Sequence, residues 1–378
     1  MSDSNDTRHD GPTRRQALKY AGVAATGGLL AGCSGSDAQS TPTGTGEYSV
    51  TMEPVGEVTF DSVPEQWVPF TGDYADMGVA LGQADGLEAI GVRARFGSHY
   101  YDELPGVSAD TGDLTELYQQ GTGKEVFYEL DADLHVVDPN FMQNRLQWSQ
   151  SNVDEIRDNV APFFGNTIFT RVYGWHDGYR YYSMYEAFEK LADAFQQRAR
   201  YEAFSDLHDE VVSDVESHLP STTPDIAVLF PADSPPDSFY PYLVGEGTQS
   251  KHWRDLGVGD ALADDGVTDA QAGGGTIDYE RLLELDPDAI AVRMQGEVSD
   301  DEFQGSIVEH MEDHEVASEL TAVQSDRVVN GGMTYQGPII HLFQLEAAAQ
   351  GLYPDTFGGE QLFDRQRVAD IVNGELDQ

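Results

Sequence analysis

From residue 185 to residue 219 the larger apolar side chains fall at Phe188, Leu191, Phe195, Phe204, Leu207, Val211, Val215 and Leu219, with neither Gly nor Pro until Pro220. That spacing predicts unbroken helix, and Pro220 ends it. At about 1.5 Å per residue the second half of the run, residues 197–219, extends roughly 34 Å, enough to cross from one domain to another. The pattern also fits two surface helices hinged near residues 196–200.

On either side, short apolar strand patterns alternate with helical ones. The first half gives a strand or hairpin over residues 48–60, a strand at 67–70, a helix at 74–81, a strand at 87–92, a helix at 125–130, a strand at 132–137 and further αβ material over 153–172. The second half gives a strand at 226–230, a long loop carrying Tyr240, Tyr242, His252 and Trp253, and a helix at 279–285 followed by a strand at 289–293. Helix at 315–323, a short strand at 327–329 and a last long helix at 341–353 complete it. One module occurs twice. Residues 124–137 (KEVFYELDADLHVV) match residues 279–292 (YERLLELDPDAIAV): a short helix with an early Glu, an Asp-x-Asp turn and an apolar strand. The halves read as pseudo-repeats.

The first fifty residues carry no such pattern. Thr13-Arg14-Arg15-Gln16-Ala17-Leu18-Lys19 precedes a Gly- and Ala-rich apolar run, and Leu30-Ala31-Gly32-Cys33 comes directly after it. This is the form of a twin-arginine export signal (residues 1–32) ending in a lipobox, with Cys33 the lipidated first residue of the mature chain. The apolar run is too short to span a bilayer of about 30 Å. Cys33 is the only cysteine, which excludes disulfides within the chain, thiol catalysis and cysteine metal clusters. Residues 33–47 read as a flexible Ser/Gly/Thr tether.

Charge narrows the partners. Lys+Arg 21 against Asp+Glu 67 gives a net charge of −46, with the acids spread along the whole length. Nucleic acid and anionic membrane surfaces are thereby excluded as electrostatic partners. A surface this acidic suits molar salt, where the Debye length falls to about 3 Å, and predicts a halophilic source.

In order and spacing, Val63-Pro64-Glu65, Ala80-Leu81-Gly82, Ala89-Ile90-Gly91-Val92, Glu125 with Leu130-Asp131-Ala132-Asp133, the central helix, Ile277-Asp278-Tyr279-Glu280 with Leu285-Asp286-Pro287-Asp288, Leu320-Thr321-Ala322-Val323 and Leu352-Tyr353-Pro354 resemble the substrate-binding lipoproteins of ABC importers for ferric siderophores, cobalamin or haem. The resemblance covers residues 63–357 and departs where Ala132 replaces the usual Pro. It implies an α/β fold of two lobes, each with a central mostly parallel sheet flanked by helices, joined by a single long inter-lobe helix, the helical-backbone or class III arrangement. The implied divisions are an N-terminal lobe over 48–182, a helical linker over 183–219 with its crossing part at 197–219, and a C-terminal lobe over 220–378. It further implies binding without catalysis or cofactor, a monomer lipid-anchored at the outer face of the cytoplasmic membrane, and delivery of a ferric chelate to an ABC permease and its ATPase. Glu125 and Glu280 match the family's permease-docking acids. The alternatives are cobalamin, haem or a metal ion in the same architecture, or an extracytoplasmic enzyme; no nucleophile elbow, P-loop, dinucleotide fingerprint or zinc-protease motif is present.

Open α/β sheets bind ligands at the C-terminal ends of their strands. Arg93 and Arg95 leave one predicted strand there and Arg293 another, and guanidinium forks suit an anionic chelate. Tyr100, Tyr101, Tyr240, Tyr242, Trp253 and Tyr335 offer flat faces. His310 and His314 have helical metal spacing but no third ligand nearby.

Overall fold

The computed structural model describes residues 46–118, 123–268, 274–359 and 361–376. The export signal, Cys33 and nearly all of the tether lie outside the described residues.

The fold opens with an antiparallel hairpin, β1 (Tyr48–Met52) and β2 (Gly56–Phe60). The first αβ unit comes next as β3 (Trp67–Pro69), α1 (Gly72–Ala80) and β4 (Ala89–Ile90), then β5 (Thr115–Glu116), α2 (Glu125–Leu130), β6 (Leu134–Val136), α3 (Pro139–Arg145) and α4 (Gln150–Asn159). β3 pairs with β6 and β4 with β5, both parallel, and a parallel bridge between Trp67 and Leu87 links the two pairs. β3, β4 and β6 are short and buried throughout, as expected of a parallel sheet covered by helices.

The continuous helical pattern at 185–219 is broken in the structure. It forms two helices, α5 (Met184–Ala194) and α6 (Arg198–His218), separated by Gln196 at φ +53°. A capping box between Ser183 and Glu186 starts the first helix. The left-handed Gln196 folds the second back, so that Phe188 packs against Tyr201 and Phe204 with ring centroids 5.5 and 6.1 Å apart. The Tyr185 hydroxyl donates to the Phe204 carbonyl across the turn (3.1 Å). Periodicity persisted through the break because both helices present one stripe to the same core. α6 alone has 21 residues, about 32 Å at 1.5 Å per residue.

The second half builds a larger sheet from β7 (Asp225–Pro231), β8 (Ser238–Tyr242), β9 (Gly259–Asp260), β10 (Ile277–Asp278), β11 (Ala289–Val292) and β12 (Val328–Asn330), in the order β10-β8-β7-β11-β12 with β9 also on β7. The pairings among β7, β9, β11 and β12 are parallel and those of β8 antiparallel. The expected long loop after residue 231 therefore contains a strand; its Ser-Phe-Tyr-Pro-Tyr alternates in burial, a period hidden by the surrounding prolines. The helices here include α7 (Lys251–Asp255), α8 (Tyr279–Leu285), α9 (Pro338–Leu352) and α10 (Arg365–Asn373), with several one-turn helices between them. One apolar cluster joins α5, α6 and α9 to both halves, a second lies in the first half with Tyr335 packed into it, and a third lies within the second half.

The repeated module does the same work twice. α2 and α8 both end on an Asp in the left-handed region, Asp131 (φ 45°) and Asp286 (φ 41°). Two residues on, Asp133 accepts from the Glu65 and Gln66 backbone N–H groups (3.0 and 3.1 Å), and Asp288 accepts from that of Asp225 (3.0 Å). Each carboxylate thus ties the turn to the start of the neighbouring parallel strand, β3 or β7. This explains the Asp-x-Asp spacing and its tolerance of Ala132 in place of Pro287.

Candidate functional site

Between the two sheets lies a cavity of about 600 Å³, walled by the segments just beyond the C-terminal ends of their strands. From the first half come Phe70 after β3, Val92 and Arg95 after β4, Tyr118 after β5, Phe141 and Arg145 on α3, and residues 169–173. The second half adds Phe230 and residues 240–243 from the β7–β8 hairpin, residues 245–247 and Gln249, Gln295 after β11, and Thr334 and Tyr335 before α9.

The walls are aromatic and lock edge to face. Phe169 meets Tyr335 at 5.0 Å and Phe141 meets Tyr173 at 6.1 Å, while Phe70 lies 5.0 Å from Phe141. Backbone contact closes the seam between halves: Thr248 donates to Ile168 O (3.0 Å), and a Cβ on Gly247 would sit 2.0 Å from the Phe169 carbonyl oxygen. Only glycine fits there.

The lining carries Arg95, Arg145 and Arg171 against a single acid, Glu246. None of these arginines forms an ion pair with Asp or Glu among the described residues, whereas Arg157, Arg198, Arg281, Arg365 and Arg367, all away from the cavity, each do. Their partners are aromatic, Tyr335, Tyr118 and Tyr173 in the lining and Tyr181 outside it. Arg95 hydrogen-bonds the Tyr335 hydroxyl, which burial pushes above its ordinary pKa. Arg145 donates to Tyr118 Oη (3.3 Å) and lies 5.8 Å from the Tyr173 ring centroid; Arg171 lies 5.0 Å from that of Tyr181. The cavity is a cationic, aromatic pocket in an acidic protein, suited to a flat or bulky anion.

Of the residues singled out in the sequence, Arg95, Tyr240, Tyr242 and Tyr335 line this cavity. Arg293 is fully buried behind its wall, 5.0 Å from the Tyr242 centroid. The others sit elsewhere. Arg93 donates to the Leu114 carbonyl (2.7 Å), because residues 93–95 form a 3-10 turn that sends the two arginines apart. Tyr100 stacks on Phe343 (5.1 Å), Tyr101 is buried with its hydroxyl donating to Asp76 (2.7 Å), and Trp253 is wholly within the core. Sequence reasoning missed Arg145, Arg171 and the aromatics of residues 169–173. The strand-end rule would have found Arg145 had it been applied to β6, whose end at Asp138 caps α3 (Asn140 N–H, 2.8 Å).

Glu125 and Glu280 are exposed at the starts of α2 and α8. His310 faces Asp237 (3.3 Å), and His314 Nδ1 accepts from the Val316 and Ala317 N–H groups (3.2 Å each), so the two do not converge on one point. The one histidine and acid grouping among the described residues that could hold a metal is His208, Asp255 and His341, away from the cavity. It is a relay of direct contacts: His208 Nε2 to His341 Nδ1 at 3.2 Å, and His341 Nε2 to Asp255 at 2.8 Å. Lys251 already holds both Asp255 oxygens (3.0 and 2.8 Å). Burial depresses both imidazoles and keeps them neutral.

A family model described as periplasmic binding protein matches residues 71–333. No curated protein matches the sequence. Solved structures share the fold. The iron-uptake ABC transporter substrate-binding protein PiuA of Streptococcus pneumoniae superimposes with a TM-score of 0.57 at 17% identity, covering 80% of this chain and 98% of its own. The petrobactin-binding protein YclQ of Bacillus subtilis gives 0.55 at 15% identity, covering 81% and 99%. SirA of Staphylococcus aureus, solved with staphyloferrin B, gives 0.51 at 14% identity, covering 84% and 100%.

Proposed function

We propose that this chain, which belongs to the periplasmic binding protein family, is the extracytoplasmic substrate-binding lipoprotein of an ABC importer and captures a ferric siderophore-type chelate in the cavity between its lobes. The observation that carries this reading is the gathering of Arg95, Arg145 and Arg171, free of acidic ion-pair partners, against aromatic walls in a chain of net charge −46. A carboxylate-rich surface repels anions at long range, so cations left unneutralised in one cavity suit an anionic cargo. About 600 Å³ accommodates a chelate of several rings.

The other parts of the chain fit that role. Cys33 carries the lipid after twin-arginine export, residues 33–47 act as the leash, and the protein works as a monomer in molar salt. Lobes at 48–182 and 220–378 flank the linker at 183–219, in which α6 is the stiff strut; stiffness restricts the lobes to small closure. Glu125 and Glu280, one on each repeated module, dock on the permease, whose ATPase supplies the energy. No helix among the described residues is long and apolar enough to cross a membrane.

The test is ligand capture. Protein starting at Gly46, in molar salt, is incubated with ferric siderophores, cobalamin and haem and examined by native mass spectrometry and absorbance. One ferric chelate retained per chain supports the reading; retention of only cobalamin or haem, or turnover of any bound compound, overturns it.

A further inference from the structure

Arg293 is the only Arg or Lys that is fully buried among the described residues. It lies just after β11, where its N–H donates to the Leu229 carbonyl (2.7 Å) and holds the backbone to β7. Its guanidinium donates to the Gln249 backbone carbonyl and, at 3.4 Å, to the Gln249 side-chain oxygen. Nε has no partner, and no Asp or Glu forms an ion pair with it among the described residues. Leaving a buried charge without a counter-charge costs several kcal/mol. In a chain with Asp+Glu 67, supplying one acid would have been simple. The charge is instead set against Tyr242 and Gln249, and both of these line the cavity on their other side.

We infer that Arg293 is a specificity residue that never touches the ligand: its uncompensated charge, one side-chain layer behind Tyr242 and Gln249, makes the cavity select highly anionic chelates over uncharged ones. The inference rests on the proposed function. Arg145 and Arg171 are exposed, so molar salt with a Debye length of about 3 Å screens them. A guanidinium sealed behind the wall is not screened, because ions cannot enter the layer between it and the cargo. Its position on one face of Tyr242 also draws electron density from that ring, which favours an anionic or electron-rich surface packed on the ring.

The experiment measures dissociation constants by protein fluorescence quenching for two probes, a trianionic ferric tris-catecholate and an uncharged ferric tris-hydroxamate, in low and in molar salt. Arg293→Met is expected to weaken the trianion about tenfold at both salt concentrations, by the order of a unit-charge interaction across one side-chain layer, and to leave the uncharged chelate within about twofold. Its melting temperature should change little, since relief of an unpaired buried charge offsets the loss of the guanidinium's hydrogen bonds to Gln249. Arg293→Lys, which keeps the charge, should keep the preference. Equal losses for both probes, a loss confined to low salt, or a folded Arg293→Lys without the preference overturns the inference and leaves the proposed function standing. Wild-type protein that binds neither probe overturns both.

Discussion

Asp76 is the carboxylate on which the last long helix is mounted, and replacing it should unseat that helix in a pH-dependent way. It lies fully buried on α1. One oxygen accepts from the Ile339 and Ile340 N–H groups in the first turn of α9 (2.9 and 3.1 Å), and the other from the Tyr101 hydroxyl (2.7 Å). A residue of the first half thus caps a helix that enters from the second. Asp76→Ala leaves these donors without acceptors in the core. At about 1–3 kcal/mol for each of the three buried orphans, the loss is about 3–9 kcal/mol, a large share of a typical ~5–15 kcal/mol stability. Asp76→Asn keeps one oxygen for the two N–H groups and an amide that donates to Tyr101, so it should cost only about 1 kcal/mol. Burial pushes the Asp76 carboxyl from 3.8 up to about 7. Between those values the folded protein retains a proton that the unfolded chain has released, so stability falls as pH rises through the window. At roughly 1.4 kcal/mol per unit the effect amounts to about 4 kcal/mol. Asp73, raised to about 6, acts in the same direction and is present in every variant. Denaturant unfolding in molar salt at several pH values between about 4 and 8 measures this. The stability of Asp76→Asn relative to wild type should improve steadily as pH rises. A difference that stays constant with pH, or an Asp76→Ala protein within about 1 kcal/mol of wild type, would mean that Asp76 does not carry α9 in this way.

The site makes further outcomes testable. Arg145→Ala and Arg171→Ala should each weaken an anionic chelate by about tenfold in low salt, whereas Arg93→Ala, whose side chain bonds Leu114 O, should leave affinity unchanged; titration calorimetry separates the two classes. Gly247→Ala, with its methyl 2.0 Å from the Phe169 oxygen, should part the seam between residues 168–170 and 247–249, read as a lower melting temperature and lost ligand binding. Reversing Glu125 and Glu280 to Arg should leave ligand affinity intact and abolish uptake in cells, because both side chains are exposed and neither lines the cavity.

Much of this architecture is written in local pattern. The twin modules could be read because each sequence position has a backbone duty: Asp131 and Asp286 take the left-handed turn, Asp133 and Asp288 grip the next strand's start, and the apolar run becomes the paired strand. The bounds of α8 came out unchanged, since Asp278 caps its first turn by accepting from the Arg281 N–H. The break at Gln196 was legible only as the alternative of two helices hinged near residues 196–200, because a left-handed residue other than Gly leaves no mark in a hydrophobic stripe that serves two helices. In the cavity, strand ends were a sound guide to neighbourhood but not to direction. Arg93 and Arg95 share one turn and face different ways, and Tyr100 and Tyr101 were drawn into packing by Phe343 and Asp76. Arg171 and Tyr173 come from a loop whose place is set by contact with residues 247–249, a non-local pairing that no spacing announces.

If an anionic ferric chelate occupies the cavity, its unneutralised arginines are what hold it there. The decisive comparison is fluorescence quenching by a ferric tris-catecholate of the processed protein and of a folded variant in which Arg95, Arg145 and Arg171 are all Ala. Saturable binding of one chelate per chain is expected, weakened at least about a hundredfold by the triple substitution. Equal affinity in the two proteins, or no saturable binding in either, would remove the arginines, or the chelate itself, from the function of this cavity.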